Sequence, residues 1–139
     1  MRIGFVSANQ EKLPDPVLPV GLLSVLAATP EGHDKHLLDL CFEGDPQGVL
    51  EAWLRELRPD LVAVGLRNLQ NSDYTSVRDN LRYYEALIAT VRDATSAPVV
   101  LGGAGFSVMP AELMARLRPD FGLPGEGEVA FPALVLVQL

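Results

Sequence analysis

Apolar residues in this chain follow two alternating rhythms. Short stretches dense in apolar side chains lie at residues 2–6, 35–41, 60–66, 97–101 and 120–123. Between them the spacing relaxes to three and four residues, as in Val49, Leu50, Trp53, Leu54 and Leu57, or in Leu81, Tyr84, Leu87, Ile88 and Val91. The first kind reads as strands, and the second as helices that turn one face to a core. Boundary residues agree. Pro19 opens a helix whose core face is Leu22, Leu23, Val25 and Leu26. Asp45 is a good N-cap with Pro46 in the first turn, and Pro59 ends that helix. A third helix runs over about 76–94, Pro110 starts a fourth with Leu113, Met114 and Leu117, and an apolar last helix begins near Val129.

Five strands alternating with helices imply a doubly wound α/β fold, with parallel strands, right-handed crossovers and helices on both faces. The Rossmann-like, flavodoxin-like order 2-1-3-4-5 is the natural expectation, in a single domain over 1–139. It gathers the carboxyl ends of strands one, three, four and five around one crevice. Those ends carry the unusual loops. Residues 7–18 are long for a strand-to-helix connection, and 67–75 are polar throughout except for Leu69 and Tyr74. Strand four stops in Gly102-Gly103-Ala104-Gly105-Phe106, and strand five leads to Gly125-Glu126-Gly127-Glu128. Glycines after a strand either let a ligand lie on the main chain or simply make a tight turn, and both readings stay open on the residues alone.

Composition narrows the chemistry. A net charge of −7 with eleven scattered basic residues gives no stripe for nucleic-acid phosphates. No apolar run reaches membrane-span length, and Met1 leads straight into a strand without a signal-peptide pattern, so a cytoplasmic, soluble domain is expected. The single cysteine, Cys41, excludes an internal disulfide or a multi-cysteine metal site and reads as a buried small apolar residue. His33 and His36 enter a strand with no third ligand nearby, which favours a structural role over a metal pair. The glycine run is neither a Walker loop nor a G-x-G-x-x-G after strand one, and the acidic and lysine positions of a phospho-receiver are missing. Glu126 and Glu128 are either an acid–base pair or a complement to a helix dipole. Arg67 and Asn68, at a strand end, are either donors to a large polar ligand or part of a solvated loop.

Taken in order, the pieces resemble one family over essentially the whole chain. They are Asn9 in the first loop with Pro19-Val20-Gly21-Leu22; Gly65-Leu66-Arg67-Asn68 with Asn71; Gly102-Gly103-Ala104-Gly105-Phe106; and Gly125-Glu126-Gly127-Glu128. The pattern is similar to the N-terminal cobalamin-binding domain of B12-dependent radical S-adenosylmethionine enzymes. The resemblance implies a domain holding base-off cobalamin at the carboxyl ends of its strands, with the dimethylbenzimidazole tail beside the glycine loop of strand four. Gly65, Leu66, Arg67 and Asn68 would line the lower face of the corrin or the tail, Gly125 to Glu128 would touch the tail, and Pro19, Gly21 and Leu22 would shape the first loop. No Asp-x-His-x-x-Gly follows strand one, so no cobalt-ligating histidine is expected. The resemblance also implies a [4Fe–4S] cluster and S-adenosylmethionine in a radical barrel. One cysteine cannot hold that cluster, so the barrel is expected outside this chain, in cis or in trans. Two other classes remain: a flavodoxin-like binder of a small molecule or nucleotide without corrinoid, and an interaction domain docking through its apolar last helix. On the cobalamin reading, Gly103→Leu is expected to abolish binding and spare the fold.

Overall fold

The computed structural model describes residues 1–12, 14–69 and 77–138, and the side chains of 77–79 fall outside that description. Five strands, β1 (Arg2–Ser7), β2 (Asp34–Asp39), β3 (Leu61–Gly65), β4 (Val99–Gly102) and β5 (Phe121–Leu123), form one sheet in the order β2-β1-β3-β4-β5. Every neighbouring pair is parallel. The helices are α1 (Val20–Ala28), α2 (Pro46–Leu57), α3 (Val77–Ala94), α4 (Ala104–Val108), α5 (Pro110–Leu117) and α6 (Gly127–Gln138). The expected order is the observed one. The short α4 was not expected, because a single turn containing Gly105 has no helical periodicity to read.

Side chains alternate across each strand and divide the core in two. Val6, Val62, Val64, Val99 and Leu101 face one way and pack with Leu54 of α2, Leu87 of α3, Phe106 of α4 and Leu113 of α5. Trp53 packs against this larger cluster, and a Cβ on Gly4 would stand 3.1 Å from its ring, which explains the glycine in β1. Ile3, Phe5, Leu61, Ala63 and Val100 face the other way, under Phe131 and Val135 of α6. The Phe5 and Phe131 rings meet at 5.4 Å in a tilted pair.

Helix α1 departs from expectation. None of its residues is fully buried, and Leu23, read as core, is exposed. Leu22, Val25 and Leu26 reach the second cluster only in part. The helix is apolar on almost every side, so its sequence does not mark a single inward face. Helix α6 also has an apolar exterior, with Val129, Leu136 and Val137 exposed. No helix among the described residues is long and apolar enough to cross a membrane.

Candidate functional site

The second face of the sheet loses bulk toward its carboxyl edge. In register, Phe5, Ala63, Val100 and Phe121 form one row across β1, β3, β4 and β5. Two residues further on, the same face reads Ser7, Gly65, Gly102 and Leu123. Small residues at the ends of three strands leave room between the sheet and helices α1 and α6. The result is a pocket of about 500 Å³, of a size that accepts a large organic group. Its floor includes Ala63, Val100 and Phe131, and its helix-side wall includes Leu22 and Val25. Val17 and Leu18 extend that wall along the first loop, and Glu126 and Glu128 stand at the β5 end. The lining is mainly apolar, and Arg67 is its sole basic residue among the described residues.

Most of the candidate residues meet here. Asn9, Pro19, Gly21, Leu22, Gly65, Leu66, Arg67, Gly102, Gly103, Ala104, Gly125, Glu126, Gly127 and Glu128 all line the pocket. Asn71 lies outside the described residues. Asn68, Gly105 and Phe106 do not line it. Asn68 sits just behind Arg67, its carbonyl accepting a hydrogen bond from the Tyr84 hydroxyl. Phe106 is fully buried in the larger cluster, because α4 turns it away from the pocket and down onto the opposite sheet face.

The glycines of the β4 loop divide into two kinds. Gly102 faces the pocket, and a Cβ there would have only the Leu123 carbonyl at 3.5 Å, an ordinary contact. Gly103 has φ +101°, and a Cβ on it would fall 2.5 Å from the Leu66 carbonyl oxygen. A Cβ on Gly105 would fall 2.9 Å from the same atom. The β3 and β4 loops are therefore pressed together main chain to main chain. The Leu66 N–H donates to the Gly102 carbonyl at 2.9 Å, and the Gly105 N–H donates to the Leu66 carbonyl at 2.8 Å. This corrects the expectation for Gly103→Leu: a side chain at that position breaks the loop contact, so the fold is not spared.

Several residues that shape the site carried no signal in the sequence. The Ser107 hydroxyl accepts from the Gly125 N–H at 2.8 Å and donates to the Gly103 carbonyl at 3.0 Å, tying the β5 loop to the β4 loop. In the first loop the Asn9 side chain accepts from the Glu11 N–H at 3.1 Å, and the Gln10 amide donates to the Leu40 and Glu43 carbonyls. Ser7, Ala63, Val100 and Phe131 line the pocket from within strands and from α6, where nothing sets them apart until the register is known. The two histidines are at the other edge of the sheet. His33 meets the amino terminus at 3.2 Å, and His36 pairs with Asp34 at 2.8 Å. Cys41 is buried beneath the first loop, and burial together with the nearby Asp39 carboxylate pushes its thiol above the ordinary value.

A slot at the carboxyl ends of a parallel sheet, floored by small residues and edged by polar loops, suits the slim end of a large cofactor. The B12 binding domain family matches residues 7–135. The chain belongs to that family. This B12-binding domain is 36% identical over 131 residues to a tryptophan 2-C-methyltransferase of Streptomyces laurentii, covering 92% of this chain and 22% of that protein. Its fold matches the radical S-adenosylmethionine methyltransferase TsrM of Kitasatospora setae, solved with tryptophan and an S-adenosylmethionine analogue. That match has a TM-score of 0.86 at 30% identity, over 99% of this chain and 25% of TsrM. TsrM with cobalamin and a [4Fe–4S] cluster bound matches at 0.84 and 30% identity, over 99% of this chain and 24% of that one. The radical enzyme OxsB shares the fold at a TM-score of 0.68 and 15% identity. The B12-binding domain thus spans about a quarter of the length of its methyltransferase relatives.

Proposed function

We propose that this B12-binding domain serves a radical S-adenosylmethionine methyltransferase, holding cobalamin with its nucleotide tail displaced from cobalt and laid in the pocket. The observation that carries the reading is the row Ser7, Gly65, Gly102 and Leu123, which opens a slot where the sheet would otherwise be filled. A pocket of about 500 Å³ suits the tail, while the broader corrin would rest on the loops at its mouth. Gly102 and Ala104 would lie along the tail, Gly125 to Glu128 beside it, and Arg67 and Asn9 at the corrin edge. Gly103 and Gly105 act indirectly, by holding the β3 loop against the β4 loop.

When bound, cobalamin supplies a cobalt centre that can exchange a methyl group. The chain's own contribution is binding and orientation. The apolar slot would exclude water from the tail, and Arg67, the pocket's one cation among the described residues, would donate toward carbonyl or phosphate oxygens. The [4Fe–4S] cluster and S-adenosylmethionine would belong to a barrel docking in cis or in trans, and the apolar exteriors of α1 and α6 would supply surface for such docking. A cytoplasmic location belongs to the same reading and fits the free thiol of Cys41. Titration with hydroxocobalamin tests it directly. Co-elution with the chain and a change in the cobalamin absorption spectrum are expected, and their absence at high micromolar concentration would overturn the reading.

A further inference from the structure

We propose that Tyr83 and Tyr84, consecutive residues of α3, are positioning residues for the cofactor, their hydroxyls pinning the two loops that frame the pocket mouth. The proposal rests on the cobalamin reading above. Strands β1 and β3 are neighbours in the sheet, so one helix crossing behind them can reach the loops of both. Adjacent helical residues fan apart by about 100° around the axis. The Tyr83 hydroxyl donates to the Ala8 carbonyl at 2.8 Å, and the Tyr84 hydroxyl donates to the Asn68 carbonyl. Ala8 immediately precedes Asn9, and Asn68 immediately follows Arg67, so each bond fixes the residue next to a polar group of the pocket lining. One turn earlier on α3, the Asn80 amide donates to the Leu69 carbonyl at 2.9 Å, holding the β3 loop at a second point.

The rings and the hydroxyls do separable work. Both rings pack with the larger cluster and meet each other at 5.5 Å. A phenylalanine would fill that space equally well. The hydroxyls instead donate to two loop carbonyls, those of Ala8 and Asn68. Burial pushes the Tyr84 phenol up to about 12 and that of Tyr83 higher still, so both remain neutral donors over the working pH range. The first loop also leans on the second, through the Ala8 N–H to the Gly65 carbonyl at 3.2 Å, and the Asn68 amide approaches Asn9 at 3.5 Å. Losing one pin therefore loosens both sides of the mouth.

The test uses the full chain as Tyr83→Phe, Tyr84→Phe and the double variant, with three readouts: thermal unfolding, hydroxocobalamin affinity, and amide hydrogen exchange in residues 8–11 and 66–69. Each single variant is expected to melt within a few degrees of the parent yet bind cobalamin about three- to tenfold more weakly, chiefly through faster release. Exchange is expected to accelerate in both loops while the interior strands keep their protection. Unchanged affinity in variants of a chain that binds cobalamin overturns the proposal. If the parent chain itself fails to bind, the cobalamin reading fails, and the exchange data then decide the pinning separately: unchanged exchange in both loops overturns it. Should the double variant not fold, the single variants carry the same comparison.

Discussion

Gly102 and Gly103 are neighbours in different surroundings, and exchanging each for a larger residue separates a pocket effect from a loop-packing effect. Gly103→Ala places a Cβ 2.5 Å from the Leu66 carbonyl oxygen on a backbone at φ +101°. The backbone conformation costs about 1–3 kcal/mol for a residue with a side chain. Relieving the overlap by shifting main chain costs about another 1–3 kcal/mol, by analogy with overpacked cores. A combined loss of about 4 kcal/mol lowers the melting temperature of a domain this size by roughly 12 °C. Gly102→Val meets neither penalty. Its φ is not positive, the nearest atom to its Cβ is the Leu123 carbonyl at 3.5 Å, and valine suits a strand. Its melting temperature should match or slightly exceed that of the parent, because the unfolded chain loses freedom. The valine methyls, however, enter the slot. Overlap with a seated tail costs about 1–3 kcal/mol, so hydroxocobalamin affinity should fall at least about fivefold. Calorimetry or circular dichroism reads the first effect and absorbance titration the second. A Gly103→Ala chain that melts with the parent would refute the loop-contact argument. A Gly102→Val chain that binds normally would show that the tail lies elsewhere.

Other expectations follow from single contacts. Arg67→Ala removes a cation of the pocket lining from an exposed loop position, so hydroxocobalamin affinity should fall about fivefold with no change in melting temperature. Asp45 caps α2 by accepting from the Gly48 N–H at 3.1 Å, and Asp45→Ala should cost about 1 kcal/mol in a denaturant titration. The Asp120 carboxyl is raised by partial burial but lowered more by the Val99 N–H at 2.7 Å and by Arg92 at 2.8 Å, leaving it below the ordinary 3.8. A depressed carboxyl stabilises the fold above its unfolded pKa and loses that contribution as the pH falls through its folded value. Asp120→Ala should therefore melt below the parent at pH 7, and the gap should close once the pH drops well under 3.8; a constant gap across that range would contradict the assignment.

How much could be read beforehand varied with the kind of contact involved. Strand order followed from the alternation of strand and helix, because crossover handedness leaves few topologies for five parallel strands. The loops around the crevice were legible because glycine, proline and polar clusters cannot belong to packed strands. Register-dependent facts were not. Ser7, Ala63, Val100 and Phe131 share the pocket only because four separate segments align, and nothing local to any of them announces it. Phe106 shows the opposite error: it follows the glycine run in sequence, yet one helical turn carries it through to the far face. Gly103 lines the pocket as expected, yet its missing side chain also makes room for the Leu66 carbonyl of another loop. A missing side chain tells where something comes close, and not what.

On the cobalamin reading, the graded face of the sheet would also act as a depth stop. Same-face rows along a strand are about 6.6 Å apart, so the step from Ser7–Gly65–Gly102 down to Phe5–Ala63–Val100 is one rung of a ladder. An inserted group would descend until the side chains thicken, and would halt there with no dedicated latch. Moving the stop needs only one residue: a larger side chain at Ala63 would raise the floor, and a smaller one at Val100 would lower it, with the hydrogen-bonded ladder untouched. Such a sheet can be refitted to a longer or shorter insert by substitutions invisible to its backbone. Reach into the protein is then set by side-chain size at one rung, independently of the loops that choose what enters.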